Sequence, residues 1–418
     1  MRIRRHVIPT LALLAACSRA DNAVVSDSLA SKPAAVTERS QEPLSPPQKL
    51  VPVLSIGEAD GPDEYSFSYV GDIALGAHDA MYVWEYGSMR IREYDSTGKY
   101  VRTFGRTGSG PGEYARGVNG LAVRDDGKLL AWDAGNARIN LYSPKGKPES
   151  QWPAHTVGFT ARALFTDTAG NSYVRMTWDT KTIGPAPTSF LRFDRAGSLL
   201  DTLRPPDFGL QRPQMLAQRP GGRGGRYADV PYFPEVQAAV MRNGDLVAGP
   251  GRTYLLQIFR NDATVGTIKR NVLPPLIDDE ERNEKRETVL ASMREVNPGF
   301  QWTGPDIPQR KPAYTELLVD EDDRIWVKVS QPSERIPESE RVKYPGSTLP
   351  VRTWRESVAY DILSRDGELL GHVRMPAKTT FFRARGNRMW TTTLDSMDFP
   401  TITVFKLEPG LHSRARTR

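Results

Sequence analysis

The chain has 418 residues, 39% of them hydrophobic and 9% aromatic, which is enough apolar side chain to bury a large core. Beyond its first residues it contains no apolar run near the roughly 18 residues that a membrane-spanning helix requires. Its formal charge of +6 falls to +3 once Arg2, Arg4 and Arg5 are set aside with a leader, too little to argue for nucleic acid.

Those three arginines form a basic head, Val7 to Leu13 a short apolar stretch, and Leu14-Ala15-Ala16-Cys17 its end, so residues 1–16 form an export signal. The tetrapeptide resembles the bacterial lipobox. That resemblance implies that Cys17, the only cysteine, becomes the lipidated first residue of the mature protein; the other reading is a buried Cys beside an ordinary signal-peptidase site. Ser18 after the cysteine implies, by the same resemblance, the outer rather than the inner membrane of a bacterial cell envelope. A chain without further thiols needs no disulfide there. Residues 17–48 are rich in Ser, Ala, Pro and Glu and predict a disordered tether, with a reach of roughly 30 Å as a flexible coil.

From Val70 onward one unit occurs twice. Trp84 and Trp132, Tyr94 and Tyr142, and Gly98 and Gly146 each stand 48 positions apart. Each unit offers four short apolar runs separated by Asp/Gly turns, which predicts a four-stranded propeller blade. Gly61-Pro62-Asp63-Glu64-Tyr65 and Gly110-Pro111-Gly112-Glu113-Tyr114 are matching turns, and each follows an apolar run, at 50–57 and 101–105. The first run has no repeat before it, so it is expected to be the outer strand of the last blade, closing the ring and removing an exposed edge.

These motifs resemble the NHL-type six-bladed β-propellers, in which a Gly-Pro-Gly-Glu-aromatic turn precedes each inner strand. Four further units keep the skeleton of apolar runs and Asp/Gly turns, including 163–197, 236–259, 317–367 and 381–405. The expected fold is all-β, a six-bladed β-propeller over 49–407 with its N-terminal strand in the last blade and one inserted helix. Residues 408–418 predict a disordered basic tail.

In a propeller the turns between second and third strands share one face with the blade-to-blade links. The long insertions, 204–234, 271–311 and 331–355, all belong to that face, as do the smaller 177–187 and 394–400. Insertions on one face of a repeat array mark a binding face, whereas neutral drift scatters them over both. A helix is expected over 278–296, capped by Asp278 or Asp279 and stopped at Asn297-Pro298-Gly299, with Val289, Leu290, Met293 and Val296 docking and its charged first half solvated. The Arg/Gly tract around Arg219 to Arg226 predicts a mobile loop.

Chemistry is sparse. The histidines are too dispersed for a three-His zinc site, and no nucleophile elbow, phosphate loop or dinucleotide turn is present. Oxygen donors at the starts of the inner strands, Asp72, Asn119, Gln237 and Glu316 with Arg162 level with them, are candidates for a channel calcium site like that of the lactonase-like propellers; polar residues also line any water-filled channel. Glu85 with Arg90 and Asp133 with Arg138, each five apart, are expected to hold turns. Two functions therefore stand. The first is an envelope-anchored, monomeric binding or scaffold module without a cofactor, which takes a protein, peptide or glycan on its insertion-bearing face. Its candidate contacts are Trp178, Arg223, Arg226, Tyr232, Phe233, Trp302 and Trp354. The second is a Ca2+-dependent hydrolase using the channel carboxylates.

Overall fold

The computed structural model describes residues 35–39 and 47–411, apart from 116, 155–161, 180–183 and 223. The leader with Cys17, most of the tether and the last residues of the basic tail lie outside them. Among the described residues, strand pairing gives six sheets with four antiparallel strands each, taken up in chain order, and three short two-stranded ones. Blade one comprises Val70–Leu75, Met81–Glu85, Arg90–Tyr94 and Tyr100–Phe104, and blade two Val118–Val123, Leu129–Asp133, Arg138–Tyr142 and Pro148–Pro153. Blade three runs from Leu164–Thr166 to Leu199–Leu203, blade four from Gln237–Val240 to Ala263–Arg270 and blade five from Tyr314–Val319 to Leu369–Arg374. Blade six takes Thr379–Arg385, Arg388–Leu394 and Pro400–Glu408 from the C-terminal end and its fourth strand, Lys49–Ile56, from the N-terminal end.

That last pairing is antiparallel, with Leu50 opposite Leu407 and Ile56 opposite Ile402. The ring is a six-bladed β-propeller sealed by Lys49–Ile56. Gln48, just before the seal, also locks onto blade five. Its N–H donates to the His372 carbonyl at 2.8 Å, and its Oε1 accepts from the His372 N–H at 2.6 Å. The His372 imidazole in turn faces Asp361 across 2.7 Å, and the Tyr254 hydroxyl donates to the other Asp361 oxygen. Within the stretch expected as a tether, Ala35–Arg39 forms a strand parallel to Ala263–Arg270.

Strands buried at every position explain the ring, as in Met81–Glu85 and Leu129–Asp133. A sheet can bury both faces only against neighbours, and six clusters each join two successive blades. Trp84 and Ile91 meet Tyr114, Leu121 and Tyr142 between blades one and two, and Trp326 and Tyr360 meet Phe381 and Met389 between five and six. The sixth cluster puts Trp390, Ile402 and Val404 of blade six against Ile73 and Val83 of blade one. The repeated Gly-Pro turns serve the same packing. Tyr114 bonds to the Tyr142 hydroxyl, and Tyr65 accepts from the Tyr100 N–H at 2.9 Å. Gly105, at φ +88°, passes so close to Tyr114 that a Cβ there would stand 2.5 Å from the ring.

The turn contacts differ in one respect from the sequence spacing. Asp133 does meet Arg138 at 3.8 Å, but the guanidinium nearest Glu85 is that of Arg92, also at 3.8 Å, and not Arg90. Arg90 and Arg92 stand two positions apart on the same face of Arg90–Tyr94, and it is Arg92, away from the strand end, that is buried against Glu85 while Arg90 stays exposed. Glu85 accepts from the Ser68 N–H and hydroxyl, from the Gly87 N–H and, at 2.6 Å, from the Ser88 N–H. Burial alone raises its pKa, yet these bonds outweigh burial and bring it from 4.5 to about 2. Because the folded value is the lower one, Glu85 stabilises the turn above pH 4.5, and that contribution is lost as pH falls through about 2. Amide exchange at Ser68, Gly87 and Ser88 is expected to accelerate over that window in the native protein, and not in Glu85→Gln.

Candidate functional site

Turn polarity puts every large insertion on one side of the ring, and there they build a cap. The link from blade three to four folds as a hairpin, Gln214–Gln218 against Gly225–Asp229, where the sequence predicted a mobile loop. The link from blade four to five carries the helix, Asp279–Arg294, the single α-helix among the described residues. Asp278 caps it by accepting from the Glu280 N–H. Blade five contributes a second hairpin, Ser333–Arg335 against Trp354–Glu356. Met215, Ala217 and Val230 of the first excursion pack with Leu290 and Met293 of the helix and with Phe300 and Ile307 after it, a seventh apolar cluster separate from the six of the ring.

A buried polar hub joins the same pieces. Lys311, whose side chain is fully buried, donates to the Gln331 carbonyl at 2.9 Å, the Ser333 hydroxyl at 2.7 Å and Glu356 at 2.6 Å. Glu281 of the helix lies 3.9 Å from the same ammonium and accepts from Ser333 at 2.6 Å and from the Tyr232 hydroxyl. Burial, then the bond to Glu281, pushes the Tyr232 phenol well above its ordinary pKa. The sequence placed the first half of the helix in solvent, whereas Glu281 is 2% exposed. A charge amid a polar run gives no signal that its partner arrives 30 residues later.

The hub and the cluster redefine the candidate contacts. Tyr232 is spent on Glu281, with the Lys311 ammonium 5.5 Å over its ring. Trp302 donates to the Pro305 carbonyl under the Arg286 guanidinium, Trp354 lies under Arg335 at 4.1 Å, and Phe233 packs on the cap core. Arg226 donates to the Ser292 carbonyl at 2.6 Å and to Glu295 at 2.9 Å, tying the hairpin to the helix end. These residues assemble the cap. Arg223 and the Trp178 side chain lie outside the described residues. The large apolar side chains this face leaves in solvent are others: Leu273 at 71% exposure, Leu276 at 64%, Val342 at 61%, Tyr344 at 71% and Met397 at 78%. Their signal in the sequence was position alone, since each sits in an insertion.

In the channel, the carboxylates grouped in the sequence as calcium ligands pair with arginines. Asp72 accepts from the Leu121 and Ile73 N–H groups at 2.8 Å and meets Arg383 at 3.3 Å. Burial raises its pKa against the pull of Arg383 and those two amides. Glu316 meets Arg162 at 3.3 Å, and Arg162 also donates to the Phe381 carbonyl. Asn119 and Gln237 stand half-buried on their inner strands as expected. A cation between these donors would face two guanidinium groups already in place. Among the described residues no group of three or more His, Cys, Asp and Glu takes up a metal-holding arrangement.

Below Arg162 the channel narrows to a cavity of about 50 Å³, lined by residues of all six blades. Space of that size is on the scale of water. Its far mouth is crossed by charge pairs between blades: Arg242 to Glu321 at 3.6 Å and to Asp125 at 2.9 Å, and Arg385 to Asp79 at 3.3 Å.

No protein-family model and no curated protein matches the sequence. Among solved structures, a candidate exported protein of Bacteroides fragilis is similar at 9% identity, covering 90% of this chain and 100% of that one, with a TM-score of 0.48. A member of the DUF4221 family from Bacteroides vulgatus is similar at 14% identity, covering 87% and 99%, also at 0.48. A gluconolactonase of Xanthomonas campestris is similar at 14% identity, covering 87% and 98%, at 0.39. These are likenesses of chain course and carry nothing about activity.

Proposed function

We infer that the protein is a binding or scaffold module of the bacterial cell envelope, lipid-anchored at Cys17, that takes a protein, peptide or glycan partner on its cap. One observation carries this reading: every long insertion rises on the same face and is built into a single cap with its own core and its own buried polar hub. Ordering so much chain is costly in conformational entropy, and on the other face the turns stay at a few residues. The exposed Leu273, Leu276, Val342, Tyr344 and Met397 supply apolar area for contact, where such residues contribute most to binding. A calcium-centred hydrolase would need Asp72 and Glu316 free of Arg383 and Arg162.

Photo-crosslinking in cells tests the face. A photoreactive residue at Tyr344 or Leu273 should yield one discrete adduct, and the same residue at Asp366, on the opposite face, should yield none. Equal adducts from both faces would contradict the reading. The anchor is tested separately: Cys17→Ala should leave the membrane fraction, and a variant that stays there sinks the lipid assignment.

A further inference from the structure

The cap side of the channel carries more positive charge than its carboxylates balance. Glu316 has Arg162 at 3.3 Å and Lys328 at 3.9 Å, and the Tyr360 hydroxyl donates to it at 3.4 Å. A third cation, Arg175 of strand Ser172–Asp179, lies near enough that Glu316 favours its charge and Arg162 opposes it; burial, the largest influence, pushes its pKa down. The Arg175 Nε is buried without an acceptor, and no ion pair reaches its guanidinium among the described residues. Two cations thus pair with one carboxylate, and a third, whose backbone is bonded beside Arg162, has a buried donor with nothing to bond.

A buried guanidinium N–H without an acceptor is costly, and the planar fork it belongs to matches an oxyanion. Solvent reaches the group, since Arg162 is 23% exposed and Lys328 35%. Backbone pairing fixes the geometry: Lys328 stands opposite both Glu316 and Tyr360 in blade five, and the Arg175 N–H donates to the Ala163 carbonyl beside Arg162.

We propose that the cap-side mouth of the channel is a binding site for a small oxyanion group, carboxylate or phosphate, held by Arg175, Arg162 and Lys328. The cavity beneath limits what passes further, so the anionic end of the ligand enters and the remainder stays at the mouth. Glu316 spaces the cations and competes with the ligand for them. The site stands independently of any partner on the cap.

Thermal unfolding of the full chain in inorganic phosphate, in acetate and in chloride at matched ionic strength tests this. Phosphate or acetate should raise the midpoint saturably above chloride, and the stronger of the two identifies the oxyanion taken. Arg175→Met breaks no ion pair, so it should fold, and it should weaken binding about tenfold or more, the loss of one charge-assisted bond. Lys328→Met, altering a partly exposed residue, should weaken it in the same direction and serves if the first variant does not fold. Glu316→Gln should tighten binding, a gain that a purely structural role for Glu316 would not produce. The proposal is overturned if neither anion exceeds chloride, or if the folded variants at 175 and 328 respond as the native protein does.

Discussion

Lys311→Met is expected to release the cap while leaving the six blades folded. The substitution leaves Glu281 and Glu356 with no ammonium between them, and Glu281 is buried in the contact of helix and hairpin. Removing one partner from a buried ion pair costs about 3–5 kcal/mol, because the remaining charge stays desolvated. The cap has its own apolar cluster, so the loss falls on a local cooperative unit. Hydrogen exchange in Asp279–Arg294 should accelerate by about a hundredfold or more, with the inner strands near their native rates. Adding Glu281→Leu to Lys311→Met should recover much of the protection, since an apolar replacement removes the stranded charge. Unchanged helix exchange in the single variant would show that the cap is held by its apolar cluster alone.

Deleting everything before Gly57 is expected to abolish cooperative folding. Blade six would lose its fourth strand, and Val404, Phe405 and Leu407 of Pro400–Glu408 would open to water. Each fully buried aliphatic side chain such as Ile56 contributes about 1.5–3 kcal/mol, and each ladder hydrogen bond about 0.5–1.5. Seven register pairs disappear together with the Gln48 contacts to His372. The sum reaches the total stability of an ordinary domain, roughly 5–15 kcal/mol. A chain that begins at residue 47 keeps the sealing strand, loses only Ala35–Arg39 at the edge of blade four, and should still melt cooperatively, at a lowered midpoint. Circular dichroism with size-exclusion chromatography distinguishes the two outcomes, and a compact, cooperatively melting product from the shorter chain would contradict them.

The ring was legible because its landmarks are chemical as well as periodic. Trp84 and Trp132, and Tyr94 and Tyr142, occupy equivalent burial sites and therefore recur as the same residue types. The later blades vary those residues and keep only apolar runs and Asp/Gly turns, which suffices for strands and not for contacts. The helix was legible from Asp278 and the stop at 297–299. What stayed hidden depends on chain separation. Arg162 meets Glu316 across 154 positions and Arg383 meets Asp72 across 311, so no local pattern showed that these carboxylates were already paired. The hairpin at 214–229 was hidden by its Arg/Gly composition, which reads as loop although backbone pairing and Arg226 fix it. Aromatic and arginine content pointed to residues that the cap uses internally, because the traits that suit a side chain for binding also suit it for holding an insertion down.

Hydrogen exchange across Lys49–Ile56 tests the closed ring most directly. With the seal in place, the amides directed at Pro400–Glu408 should exchange as slowly as those of blade one and lose protection together with them in denaturant. Exchange of that segment at the rate of an unstructured chain, while the other blades remain protected, would mean that the ring is open.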